Sequence, residues 1–174
     1  MEYYDKSIKA DSSYAPAYYN KGVLLDKKLE HEEALKVLDE AIKIDPKKSN
    51  PRFYKGIVLG KTGKHELALN CFENVYRADP RHLDALFHKG IELAELERHE
   101  KAIEVFDKIL DKHKGNINVV YAKARSKAAI NEVNEAFDLL KIAIKSSKTI
   151  KLWARKEKVF EKFYDDPEFQ RMVK

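Results

Sequence analysis

APAYYNKGVLLDKKLEHEEALKVLDEAIKIDPKK, residues 15–48, decides the fold. Its Lys21-Gly22 pair returns as Lys55-Gly56 and Lys89-Gly90, and Lys123-Ala124 keeps the same 34-residue step. Ala34 recurs as Ala68, Ala102 and Ala136; Leu38 as Phe72, Phe106 and Leu140; Pro46 as Pro80. A fixed period of this length marks a chain built by stacking one supersecondary unit on the next. Inside the unit, Ala17, Tyr18, Leu24 and Leu25 fall at helical spacing, and after a break at Leu29-Glu30 so do Ala34, Leu38, Ala41 and Ile42. Asp45-Pro46 stops the second run, because proline cannot continue the helical bonding and disfavours helix in the residue before it. Each unit therefore predicts two antiparallel helices joined by a tight turn.

The repeats fall at 15–48, 49–82 and 83–116, with a more degraded copy at 117–150. Gly22, Gly56, Gly90 and Ala124 occupy the eighth position and face the alanine at the twentieth. Glycine inside a helix costs about 1 kcal/mol against alanine, so its recurrence implies two helices too close for a larger side chain. The pattern resembles the tetratricopeptide repeat family of prokaryotic and archaeal proteins, with Tyr18, Gly22, Leu25, Ala34, Leu38, Ala41 and Pro46 at its signature positions. That resemblance implies an all-α fold, a right-handed α-solenoid of antiparallel hairpins. Departures are visible: Arg52, Leu86 and Val120 stand where a large aromatic is expected. Lysine fills the seventh position of every repeat, Lys114 and Lys148 replace the terminal proline, and Lys127 occupies an interior-prone place.

The flanks read as caps. Residues 1–14 look like the second helix of an incomplete repeat, with an apolar stripe of Tyr3, Tyr4 and Ile8 expected to pack on Tyr18. The open side of that helix implies either a chain that continues upstream, the reading favoured here, or a homodimer through the N-terminal helix. Residues 151–174 predict capping helices: an extra helix over KLWARKEKVFEKFYDD, then a short one that Asp166 caps and Pro167 opens. Solenoids need such caps to cover their last apolar face.

Composition fits an ordinary globular chain, with 44% apolar and 36% charged residues. Cys71 is the only cysteine, which excludes an internal disulfide and suits a cytoplasmic setting. The polar N-terminus lacks the apolar stretch of a signal peptide. No apolar run approaches the roughly 20 residues that span a bilayer, so no membrane partner is expected. The net charge of +5 lies wholly in residues 141–174, which hold 10 Lys and Arg against 5 Asp and Glu.

Three apparent chemical motifs dissolve on inspection. Gly60-Lys61-Thr62 and Gly63-Lys64 lack the glycine that a phosphate loop needs five residues before its Gly-Lys pair. His31, His65 and His99 share the seventeenth position, and helices roughly 10 Å apart cannot bring such a column to one zinc ion. Glu32, Glu33, Glu66 and Glu100 head second helices, where they complement the helix dipole. The expectation is a non-enzymatic protein with no catalytic residue, metal or cofactor.

The family resemblance implies that positions five, six and nine of each first helix point into a concave groove. Those columns are Tyr19, Phe53, Phe87, Tyr121; Asn20, Tyr54, His88, Ala122; and Val23, Ile57, Ile91, Arg125. If the register persists past 151, Arg155 and Lys156 extend the first two. The expected function is a protein–protein adaptor or scaffold that binds a peptide or amphipathic helix, with acidic residues of the partner meeting Arg125, Arg155 and Lys156. Aromatics that merely pack between helices, or a C-terminal helix that folds into the groove, are the opposing expectation. The alternative function is nucleic-acid (RNA) binding through Lys141, Lys145, Lys148, Lys151 and Lys158, against which stands the neutral charge of residues 1–140.

Overall fold

A computed structural model describes every residue, Met1–Lys174, and contains helices and turns without a strand. The chain forms two compact units, Met1–Glu92 and Leu93–Lys174. The first contains α1 (Glu2–Ala10), α2 (Ala15–Lys27), α3 (His31–Ile44), α4 (Ser49–Lys61), α5 (His65–Ala78) and most of α6 (Leu83–Glu95). The second contains α7 (His99–Lys112), α8 (Ile117–Ala129), α9 (Val133–Ser146), α10 (Lys148–Ala154), a 3₁₀ helix (Lys158–Phe163) and α11 (Pro167–Val173). First helices begin at 15, 49, 83 and 117 and second helices at 31, 65, 99 and 133, so the 34-residue step holds to the residue.

Close approach within the hairpins rests on the glycines. A Cβ added at Gly22 would lie 2.7 Å from Leu38 Cγ, and one at Gly56 would lie 2.8 Å from the Phe72 ring. Leu38, Phe72, Ala34 and Ala68 are all fully buried, so neither neighbour has room to move.

Each first helix ends in the same turn. Leu29, Gly63, Glu97 and Asn131, again 34 apart, take positive φ of 57–74°. The amide after each one bonds back five residues: Glu30 to Leu25, Lys64 to Leu59, Arg98 to Leu93, and Glu132 to Lys127. This is the αL helix-end motif that satisfies the last carbonyls. Only one of the four sites uses glycine, the residue that adopts this conformation without strain.

The seventh-position lysines have a structural reason. Each reaches an acid sixteen residues earlier, on the preceding second helix: Lys21 to Asp5 (2.7 Å), Lys55 to Asp39 (2.5 Å), Lys89 to Glu73 (3.2 Å) and Lys123 to Asp107 (2.5 Å). The repeat thus replaces an apolar contact with a partly buried ion pair. Lys127 is satisfied in a similar way by Glu132 and Glu135.

At the C-terminus the repeat register fails. α10 begins at Lys148, ahead of the expected boundary at 151, and stops at Ala154; the single helix expected over 151–166 is two pieces. The cause is burial. Residues 158–163 wind as a 3₁₀ helix against α8, and Phe160 becomes fully buried with Phe169, Phe137, Ile150 and Ala154. Asp166 does cap α11, its Oδ1 accepting from the amides of Glu168 (2.8 Å) and Phe169 (3.0 Å). At the other end, α1 has no fully buried residue; Tyr4 and Ile8 are half-buried and Tyr3 is 76% exposed.

Candidate functional site

In the first unit, α2, α4 and α6 carry nine of the residues expected to line a groove. Asn20 is exposed; Tyr19, Val23, Phe53, Tyr54, Ile57, Phe87, His88 and Ile91 are half-buried. The rings are not loose. Tyr19 meets Tyr54 edge-on with centroids 6.1 Å apart, and Phe53 meets Phe72 at 5.5 Å, His82 at 4.9 Å and His88 at 5.6 Å. His88 stacks on Phe72 at 5.1 Å, and its burial lowers the imidazole's tendency to hold a proton, against a smaller pull from Asp84. Apart from Asn20, each of these side chains is partly packed and partly accessible. Such a surface is pre-ordered, so a ligand meets apolar area without first having to immobilise it. At its margin a pocket of about 270 Å³ opens between the starts of α2 and α4, lined by Ala15, Pro16, Tyr19, Asp45, Lys48, Asn50 and Pro51.

Tyr54 has a further duty that periodicity did not show. Its hydroxyl donates to Asp26 Oδ2 at 2.7 Å, and Lys61 Nζ reaches the same oxygen at 2.7 Å. The Asp26 side chain is 1% exposed, with His31 Nδ1 3.1 Å from its other oxygen, though not aligned as a hydrogen bond. Burial pushes the Asp26 carboxyl up, but the bonds from Lys61 and Tyr54 outweigh it and leave it below its ordinary value. Burial, then Asp26 itself, drives the Tyr54 hydroxyl well above the usual tyrosine range. The second repeat solves the same problem differently. Glu92 from α6 is buried and takes a contact from His65 Nδ1 at 2.8 Å, and its carboxylate lies 2.5 Å from where a Gly60 Cβ would be. Gly60 stands at the position Asp26 holds one repeat earlier, so a glycine there admits the acid from the next helix. The sequence signal was the swap of Asp26 for Gly60 in an otherwise constant frame. Two of the three column histidines, His31 and His65, thus lie against buried carboxylates, whereas His99 meets the exposed Glu97 at 3.1 Å.

In the second unit Tyr121 is covered and Arg125 half-buried, while Arg155 and Lys156 are exposed. Tyr121 is 6% exposed; its ring sits 6.0 Å from Trp153 and 6.3 Å from Phe160, and its hydroxyl donates to Glu157 Oε2 at 3.2 Å. Burial and then Glu157 raise that hydroxyl far above its ordinary value. Arg125 pairs with Glu157 at 2.9 Å and with Glu95 at 3.5 Å. Arg155 lies past the end of α10 and donates to the backbone carbonyls of Val173 and Lys174, while Lys156 sits in an exposed turn. The basic end expected from Arg125, Arg155 and Lys156 is therefore not assembled: two of the three are committed to the chain itself. The physical reason is Phe160, whose burial draws residues 153–160 across α8.

Two family models, both described as tetratricopeptide repeat, match residues 15–48 and 55–117, together more than half of the chain. No curated protein matches it. Similar solved structures include YrrB, described as a TPR protein with an unusual peptide-binding site (18% identity, 97% of this chain and 88% of that one, TM-score 0.74). MamA from Desulfovibrio magneticus RS-1, residues 41 to its end, is 17% identical over 91% of this chain and 89% of its own, with a TM-score of 0.77. A tetratricopeptide repeat protein from Parabacteroides merdae ATCC 43184 is 16% identical over 98% of this chain and 68% of its own, with a TM-score of 0.86. At such identities the likeness is one of fold.

Proposed function

The chain belongs to the tetratricopeptide repeat family, and on that premise we propose that it is a non-enzymatic adaptor whose first unit holds a peptide or amphipathic helix on the inner faces of α2, α4 and α6. The fold itself supports a protein-interaction role. One observation carries the finer reading: Tyr19, Phe53 and Phe87 recur on successive first helices as half-buried aromatics, each partly accessible. Asn20 adds an exposed amide at the margin. Aromatics held in this way are the side chains that dominate binding energy at protein interfaces. A peptide-binding site on the similarly folded YrrB accords with it.

The site is tested by panning a peptide-display library against the purified chain and measuring the recovered peptides by calorimetry. Phe53→Ala and Phe87→Ala should each weaken them about thirtyfold, the equivalent of about 2 kcal/mol for a hot spot. Unchanged affinity in both variants, with affinity lost instead on changing exposed residues of α3 or α5, would move the site to the other face. The RNA reading has weaker support. Lys141 is taken by Glu168 (2.6 Å) and Asp138 (3.4 Å), which removes one of its five phosphate contacts.

A further inference from the structure

We propose that the outer face of α10 is a second docking surface, for an acidic protein segment that carries an apolar side chain between its carboxylates. α10 is fixed from within: Ile150 and Ala154, one turn apart, are at most 1% exposed and belong to the core of the second unit. Its opposite face is set by the same helical geometry. Lys148 and Leu152 stand four residues apart on it, with Lys151 and Trp153 at its flanks and Lys156 in the turn that follows. Leu152 is 55% exposed and Trp153 48%, an unusual display for two large apolar side chains beside each other.

The lysines around them have no acidic partner. Lys148, Lys151 and Lys156 make no ion pair, whereas Lys21, Lys55, Lys89 and Lys123 all do. Glu157, the nearest acid in sequence, is occupied by Arg125 and the Tyr121 hydroxyl and cannot neutralise them. Positive charge on a rigid helix with exposed apolar area at its centre selects a ligand with both negative charge and an apolar anchor. Leu152 sits at the middle of the face and offers nothing to a base or a phosphate. A protein segment uses all five residues, and RNA would use the lysines and Trp153 only. This inference holds whether or not the first unit binds a peptide.

Trp153 is the only tryptophan in the chain, so its fluorescence reports on the proposed surface directly. The full chain is titrated with four probes: a helix-forming peptide carrying Glu on either side of Leu, the same peptide with Lys for Glu, oligouridylate, and phosphatidylcholine vesicles containing phosphatidylserine. A saturable blue shift with the Glu peptide alone is expected. Lys148→Glu with Lys156→Glu should weaken it at least about tenfold, as should raised salt. Leu152→Ser, an exposed change that leaves the core intact, should weaken it also if the charge-reversed variant fails to fold. A response to oligouridylate or vesicles as strong as that to the Glu peptide overturns the proposal. So does no response to any probe, or binding that survives both variants.

Discussion

Removing the Asp26 carboxylate should loosen the first unit by an amount set by its bonds. In Asp26→Ala the Tyr54 hydroxyl, half-buried between α2 and α4, loses its 2.7 Å acceptor. An unsatisfied group of that kind costs about 1–3 kcal/mol. Lys61 loses a 2.7 Å ion pair, but its side chain is 50% exposed, so water replaces most of that and the share falls to about 0–1 kcal/mol. The total is about 1–4 kcal/mol. Asp26→Asn keeps an acceptor for Tyr54 and should lose only about 1–2 kcal/mol. Urea unfolding followed by far-UV circular dichroism, with amide exchange read on α2 and α4, measures both. In a repeat protein the loss should concentrate in neighbouring repeats. A double-mutant cycle with Tyr54→Phe should return a coupling of about 1 kcal/mol or more, since the two residues share one hydrogen bond. Asp26→Ala within about 0.5 kcal/mol of the parent protein, or a cycle with zero coupling, would show that the carboxylate is not what joins α2 to α4.

Other consequences can be measured in the same way. Leu29→Gly relieves a non-glycine residue at φ 65° and should stabilise by about 0.5–1 kcal/mol, whereas Gly63→Ala at φ 74° should destabilise by about 1 kcal/mol; thermal melts of both check the sign. Gly56→Ala gains helix propensity but drives a Cβ to 2.8 Å from a fully buried Phe72 ring, so a net loss of about 1–2 kcal/mol is expected in urea unfolding. The depressed Asp26 carboxyl sets a direction for acid. Its contribution is present above the unfolded aspartate value near pH 4 and lost as pH falls through its lower folded value; Asp26→Asn should flatten that part of the stability profile.

The helices were legible because one spacing fixes them. Gly22, Ala34, Leu38 and Pro46 locate both helices and the turn, and the starts at 15, 31, 49 and 65 follow without further information. The lysine column was visible as a departure, but its partners Asp5, Asp39, Glu73 and Asp107 carry the same period and were the missing half of the signal. Buried Asp26 was not legible. It follows Leu24 and Leu25 in a helix whose face had to be inferred, and its partners come from two other helices, His31 from α3 and Tyr54 and Lys61 from α4. The C-terminal unit escaped for another reason. Past 150 no repeat constrains the chain, and the burial of Phe160 rather than periodicity decides where α10 ends. Tyr121 and Arg125, read as open groove residues, were consequently covered by Glu157 and Trp153.

The most direct measurement is a nuclear magnetic resonance footprint of a selected peptide on the isotopically labelled full chain. Binding through the first helices predicts intermolecular contacts and shift changes at Tyr19, Phe53, Ile57 and Phe87, with the exposed residues of α3 and α5 unmoved. Contacts confined to the outer faces of α3 and α5, with Phe53 and Phe87 silent, would contradict it.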